Sequence, residues 1–140
     1  MLSSARTEKS VAVHRLWWVA LLAGTVAAVG NLLVWVLGRA LAVPLDIPVG
    51  AQTTALTAGP IIVASFVPAL LAAVLLALLS HLATRPLWVF RLVGGVALLL
   101  SLLGPLALPV AGATKAVLLG MHVVAALAII GVLSSAARVR

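Results

Sequence analysis

Residues 115–132 read KAVLLGMHVVAALAIIGV, and this run decides the fold. As a helix rising 1.5 Å per residue it spans ~27 Å, close to the hydrocarbon thickness of a bilayer. It carries one ionisable side chain, His122, well inside its apolar length. Lipid offers no hydrogen-bond partner at such a depth, so the protein itself must supply one. The arrangement of the remaining helices is therefore expected to answer to His122.

Composition agrees with this. Hydrophobic residues make up 65% of the 140 residues and charged ones 8%, which leaves a soluble fold too little polar surface. The chain has no cysteine, so disulfides, thiol redox chemistry and thiolate metal sites are excluded. The formal charge of +7 would suggest nucleic acid in a soluble protein. Here the basic residues flank apolar runs, where topology and anionic headgroups account for them and nucleic acid does not.

Working backward from the last run, three further spans are expected, at 16–37, 60–82 and 87–106, with the fourth at 115–133. Trp17 and Trp18 open the first and Trp35 lies near its end, as interfacial anchors do; Trp88 does the same for the third. Ala40-Leu41-Ala42 has the small-x-small form of a signal cleavage site. The preceding 22-residue apolar run exceeds the usual ~7–15-residue signal core, and Arg39 stands just before the site, so a retained span is expected. Residues 38–59 form the longest loop; Pro44, Pro48 and Gly50 oppose helix in its first half, and AQTTALTA is read as a candidate extension of the second helix. Pro60 suits a first helical turn, and Pro68 should kink the second span by freeing the carbonyl of Ala64.

The basic residues set the orientation. Arg6, Lys9 and Arg15 precede the first span, Arg85 and Arg91 belong to the turn before the third, and Arg138 and Arg140 close the chain. Only Arg39 and Lys115 lie on the other side, and seven against two places both termini in the cytoplasm. The expected fold is thus an all-α membrane protein, an antiparallel four-transmembrane-helix bundle. A single domain at 16–135 lies between cytoplasmic tails at 1–15, disordered at its start, and 136–140. The halves show no similarity, so an inverted-repeat transporter gains no support.

Counting residues from the outer boundary puts Asn31, Ser65, Ser101 and His122 at one level, ~9–11 Å deep for Asn31 and His122. Each shares a helical face with small residues: Gly24, Ala27 and Ala28 for Asn31; Ala69, Ala72 and Ala73 for Ser65; Gly94, Ala97 and Gly104 for Ser101; Ala125 and Ala126 for His122. Small residues at three- and four-residue spacing mark close helix approach, so the four are read as a buried polar layer, with His122 and Asn31 within hydrogen-bonding reach. Two readings follow. The layer is a structural hydrogen-bond network with neutral His122, or it is a site in which His122 carries a proton, ligates a metal or meets a small molecule.

Arg91 faces the same interior near the cytoplasmic end and is a candidate contact for an anionic headgroup. His14 and His81 are read as solvated at the cytoplasmic interface. His81 and His122 belong to opposite leaflets, which argues against a haem held between them. Asp46 and Arg39 are plausible loop partners. No span holds Asp or Glu, and no zinc-protease motif, nucleophile elbow or phosphate loop is present, so no cofactor is implied and no catalytic residue is assigned.

The lone Asn31 in GNLLVW, the prolines of the first outer loop and the pattern LLGMHVVAALAIIGVL, above all Met-His-x-Val-Ala-Ala at 121–126, resemble an uncharacterised family of small bacterial four-helix membrane proteins, domain of unknown function 6069. The resemblance covers about residues 14–136. It implies fold and topology but no activity. The chain is accordingly expected to be a non-catalytic multi-pass protein of the inner (plasma) membrane. It would act through a protein partner, through lipid (anionic lipids included) or through self-association on small-residue faces such as Ala116, Gly120 and Gly131. The alternative is a small transporter or ligand-binding protein with an outer-leaflet pocket around His122 and Asn31.

Overall fold

The computed structural model describes residues 2–137, with side chains from Arg15 onward. Arg138 and Arg140, and the side chains of Arg6, Lys9 and His14, lie outside the described residues. Four helices, α1 (Leu2–Ala40), α2 (Ala58–Leu82), α3 (Pro86–Ala107) and α4 (Gly112–Ala136), are joined by short connections, with a hairpin of β1 (Asp46–Val49) and β2 (Gln52–Ala55) between the first two. Within α1 the stretch Arg15–Ala40, and all of α2, α3 and α4, are long and apolar enough to cross a membrane. Every helix outruns its expected span. The largest difference is at the start of α1, where the expected disordered tail is helical from Leu2. Residues 2–15 hold no Gly or Pro and several strong helix formers, so nothing in them stops the helix.

α1 packs on α2 and α4, and α3 packs on α4 and α2. The main core is built from small side chains: Ala20, Ala23 and Ala27 of α1 meet Ala69 and Ala73 of α2, while Phe90, Ile129 and Leu133 fill the space toward α3 and α4. Helices in lipid gain nothing from hiding Leu from a solvent that is itself apolar, so close backbone approach replaces bulk as the source of cohesion. The approach at Gly24 is extreme. A Cβ there would sit 2.6 Å from the Phe66 ring of α2. On the α4 side, a Cβ at Gly30 would sit 2.6 Å from Val124. Most large apolar residues point outward instead: Leu33, Leu71, Leu99 and Leu127 are each 65 or 66% exposed, a surface suited to acyl chains and not to water. α2 runs through Pro68 without interruption, the proline lying on the exposed side.

Residues 38–59 differ most from expectation. AQTT does not prolong α2; Gln52–Ala55 is a strand paired antiparallel with Asp46–Val49, Val49 opposite Gln52. The turn Gly50-Ala51 has Gly50 at φ +63, and positive φ at the first central residue alone is the signature of the hairpin turn that matches strand twist. Pro44 and Pro48 keep the first arm extended, and β-branched Thr53 and Thr54 favour the second. The hairpin is fixed to the bundle at several points. Leu56 N–H donates to the Leu45 carbonyl at 2.8 Å, Trp35 Nε1 donates to the Leu56 carbonyl at 3.0 Å, and the buried Thr114 hydroxyl of α4 donates to the Pro44 carbonyl. Ile47 packs against Ile61, Leu118 and Met121. The loop is a cap on one end of the helices.

Candidate functional site

The structure joins two of the four residues of the expected layer. Asn31 Nδ2 donates to Ser65 Oγ at 3.1 Å, and Ser65 Oγ donates to the Ile61 carbonyl one turn back at 2.8 Å. Asn31 is 6% exposed and Ser65 fully buried, so this chain of two bonds ties α1 to α2 where water does not reach. Asn31 Oδ1 is buried without any partner. An orphaned amide oxygen costs about 1–3 kcal/mol, which offsets much of what the bond contributes.

His122 and Ser101 stand apart from that pair. His122 is half-buried, and its Nδ1–H donates to the Leu118 carbonyl of its own helix at 2.7 Å, leaving Nε2 free. No hydrogen bond joins it to Asn31. The register explains the separation: α1 presents Gly30 to Val124 and Gly38 to Val117, whereas Asn31 is turned one residue further round, toward α2. His122 in turn shares its stripe of α4 with Leu118, Ala125 and Ile129, well round the helix from Val117 and Val124, which meet Gly38 and Gly30 of α1. Ser101 is exposed and donates to the Leu98 carbonyl at 2.7 Å. It lies on the stripe of Phe90, Gly94 and Pro105, but Gly94, whose Cβ position is 2.7 Å from Ile130, belongs to the first half of α3. A hydroxyl that faces lipid bonds its own helix because nothing else is in reach.

Two polar contacts were not foreseen in the sequence. Arg91 Nε donates to Ser134 Oγ at 3.3 Å, linking α3 to α4, with Ser134 only 3% exposed and the rest of the guanidinium outside. Thr114 holds the hairpin. Ser134 and Thr114 fall near helix ends, where short hydroxyl residues are too common to stand out. Gly120, expected on an outward association face, instead looks toward Val34, 3.9 Å from its Cβ position. Ala116 and Gly131 are exposed.

At the capped end the hairpin separates two grooves that share Asp46. One, of about 290 Å³, lies between Pro44, Pro48 and Thr53 and the α3–α4 connection at Pro109 and Val110. The other, of about 300 Å³, lies between the hairpin and the end of α1, with Arg39, Val43 and Leu56 in its wall. Arg39 and Asp46 are not ion-paired across it. The Arg39 guanidinium lies over the Trp35 ring, 5.1 Å from its centroid.

A bundle with alanine and glycine at its closest helix contacts, with most of its large apolar residues facing outward and with four long helices apolar enough to cross a bilayer is a multi-pass membrane protein. The sequence profile of the family of unknown function DUF6069 matches residues 11–139, and the chain belongs to that family. No curated protein and no solved structure shows a significant match to it.

Proposed function

We propose that this chain is a non-catalytic protein of the plasma membrane that works by lateral association with a second copy of itself through α3. The helices alternate in direction, with both termini cytoplasmic. Contacts that pair a late residue of one helix with an early residue of another support that alternation: Asn31 of α1 with Ser65 of α2, Gly38 of α1 with Val117 of α4, and Ser134 of α4 with Arg91 of α3. The excess of Lys and Arg beside the termini and the α2–α3 turn supports the orientation. Arg91, anchored by Ser134, offers its free guanidinium N–H groups to anionic headgroups at that side.

The observation that carries the reading is the openness of α3. Only 6% of its most apolar stretch is buried inside the chain, against 33%, 28% and 22% for α1, α2 and α4. Ala97, Ser101 and Gly104 are all exposed there at four- and three-residue spacing, the pattern on which membrane helices approach one another. The absence of native cysteine makes the test clean. In membranes under mild oxidation, Ala97→Cys should give a disulfide-linked dimer and Val29→Cys, on the outer face of α1, should not. Equal crosslinking at both positions, or at neither, refutes association through α3.

A second reading, ligand binding or transport at the Asn31 level, is favoured by the orphaned Asn31 Oδ1, an acceptor ready for a donor. His122→Gln that leaves thermal stability intact while abolishing a cellular phenotype would support it. Unchanged phenotype in both His122→Gln and Asn31→Leu would count against it.

A further inference from the structure

We propose that the groove between the α1 end and the hairpin binds the phosphoethanolamine headgroup of a membrane phospholipid, with Arg39 taking the phosphate and Asp46 the ammonium. The inference rests on the membrane reading but not on association through α3. Three observations meet at this groove. It lies where the apolar length of α1 ends, beside Trp35, and so at headgroup depth in either orientation of the chain. It contains one cation and one carboxylate that are not ion-paired with each other, although both line a space of about 300 Å³. Each is held in place from its own side: the guanidinium rests on the Trp35 ring, whose indole N–H is bound to the Leu56 carbonyl, and Asp46 begins a strand tied down by buried Leu45 and by the Thr114–Pro44 bond.

The chemistry narrows the occupant. Arg39 alone would accept any phospholipid, since every headgroup presents a phosphate to which a guanidinium can offer paired donors. Asp46 discriminates. Its carboxylate repels a headgroup of net negative charge and attracts one bearing a cation two carbons from the phosphate. A primary ammonium gives that carboxylate N–H donors, which a quaternary ammonium lacks. Quaternary groups are recognised instead by aromatic faces, and the one ring beside this groove is already covered by Arg39. The wall between the charges, Val43, Leu45 and Leu56, is apolar and suits the glycerol and ethyl carbons.

The test uses the full chain in lipid discs of phosphatidylglycerol, exchanged against equimolar phosphatidylethanolamine, phosphatidylglycerol and phosphatidylcholine, with retained lipid read by native mass spectrometry. The wild type should retain phosphatidylethanolamine over the other two by about tenfold, the factor that one charge-assisted hydrogen bond of ~1.4 kcal/mol supplies. Asp46→Asn should level the three lipids while binding persists, and Arg39→Gln should lose retention of all three. Both side chains are exposed, so unchanged thermal unfolding of the variants shows that the fold is intact. Equal retention of the three lipids by the wild type, or a preference that survives Asp46→Asn, overturns the proposal. Complete displacement by equimolar soluble phosphoethanolamine overturns the lipid assignment in favour of the free compound. Failure of the chain to enter discs at all strikes the membrane reading itself, and this proposal with it.

Discussion

α1 and α3 are almost equally apolar, with mean hydropathies of 2.1 and 2.0 over their best stretches, yet a third of the first is buried inside the chain and 6% of the second. In water such a difference would be written in composition, since an uncovered apolar face there is unstable. In a bilayer it is not, because hydropathy records only that a helix lies in lipid and is silent about which neighbours it has. The difference between the two helices lies in the placement of small residues. α1 carries Ala20, Ala23, Ala27, Ala28 and Gly24 as two buried stripes and packs two helices on them. α3 has only Gly94 in such a role, against Ile130.

Glycine substitution breaks this comparison most directly. Gly24→Leu places a side chain in the Phe66 ring and should lower stability by about 1–3 kcal/mol or prevent folding, as overpacking of a tight interface does. A Cβ at Gly95 on α3 would meet nothing within 4 Å, so Gly95→Leu should stay within about 0.5 kcal/mol of wild type. Reversible unfolding in mixed micelles, followed by circular dichroism, measures both. Similar losses at the two positions would mean that α3 is packed within the chain and that its openness is not real.

A smaller effect is expected from the hydroxyls. Ser65→Ala removes the acceptor of Asn31 Nδ2 from a fully buried place and should cost about 0.6–2 kcal/mol, the range for buried polar bonds between membrane helices. Ser101→Ala removes a hydroxyl bonded only to its own helix and should change stability by less than about 0.5 kcal/mol. If Ser101→Ala were as costly as Ser65→Ala, Ser101 would have a partner outside the chain, and its position on the proposed association face would name where.

The same contrast explains what the sequence made legible. The four spans were plain from length and hydropathy, and the family from Met121-His122 and its surroundings, because both are one-dimensional signals. Residues per helix convert directly into height along the bundle, and Asn31 and Ser65, expected at one level, are hydrogen-bonded to each other. Direction around the helix was not legible. Small residues lie beside Ser101 as they lie beside Asn31, but a stripe becomes an interface only if another helix reaches it, and at Ser101 none does. For His122 the expected partner lies on another helix, but one turn of its own helix brings a nearer acceptor, the Leu118 carbonyl at 2.7 Å. The hairpin had a readable signal in Gly50 between the extended segments DIPV and QTTA, which Ala-rich surroundings disguised as the approach to a helix.

The ends of the two helices extend the comparison to its smallest effect. α1 stops with Ala42 at φ 55, Ala42 N–H bonded to the Arg39 carbonyl and Val43 N–H bonded to the Gly38 carbonyl, each at 3.0 Å. That pair of bonds is the Schellman ending, which uses a left-handed residue usually supplied by glycine. Alanine in this conformation costs about 1–2 kcal/mol. Ala42→Gly relieves that cost but adds about 0.4–1 kcal/mol of freedom to the unfolded chain, so a net gain of about 0.5–1 kcal/mol is expected. α3 ends differently, at Leu108 with φ −65 and ψ 138, a conformation any residue adopts. Leu108→Gly therefore has no strain to relieve and should destabilise the chain, through the added unfolded freedom and through the lost packing of Leu108 against the Ile61, Leu118 and Met121 cluster. Opposite signs for one change at two helix ends would show that α1 is held in an enforced stop beneath the hairpin. Destabilisation at both would mean that the Ala42 conformation carries no strain, and that the cap rests on α1 without bending its end.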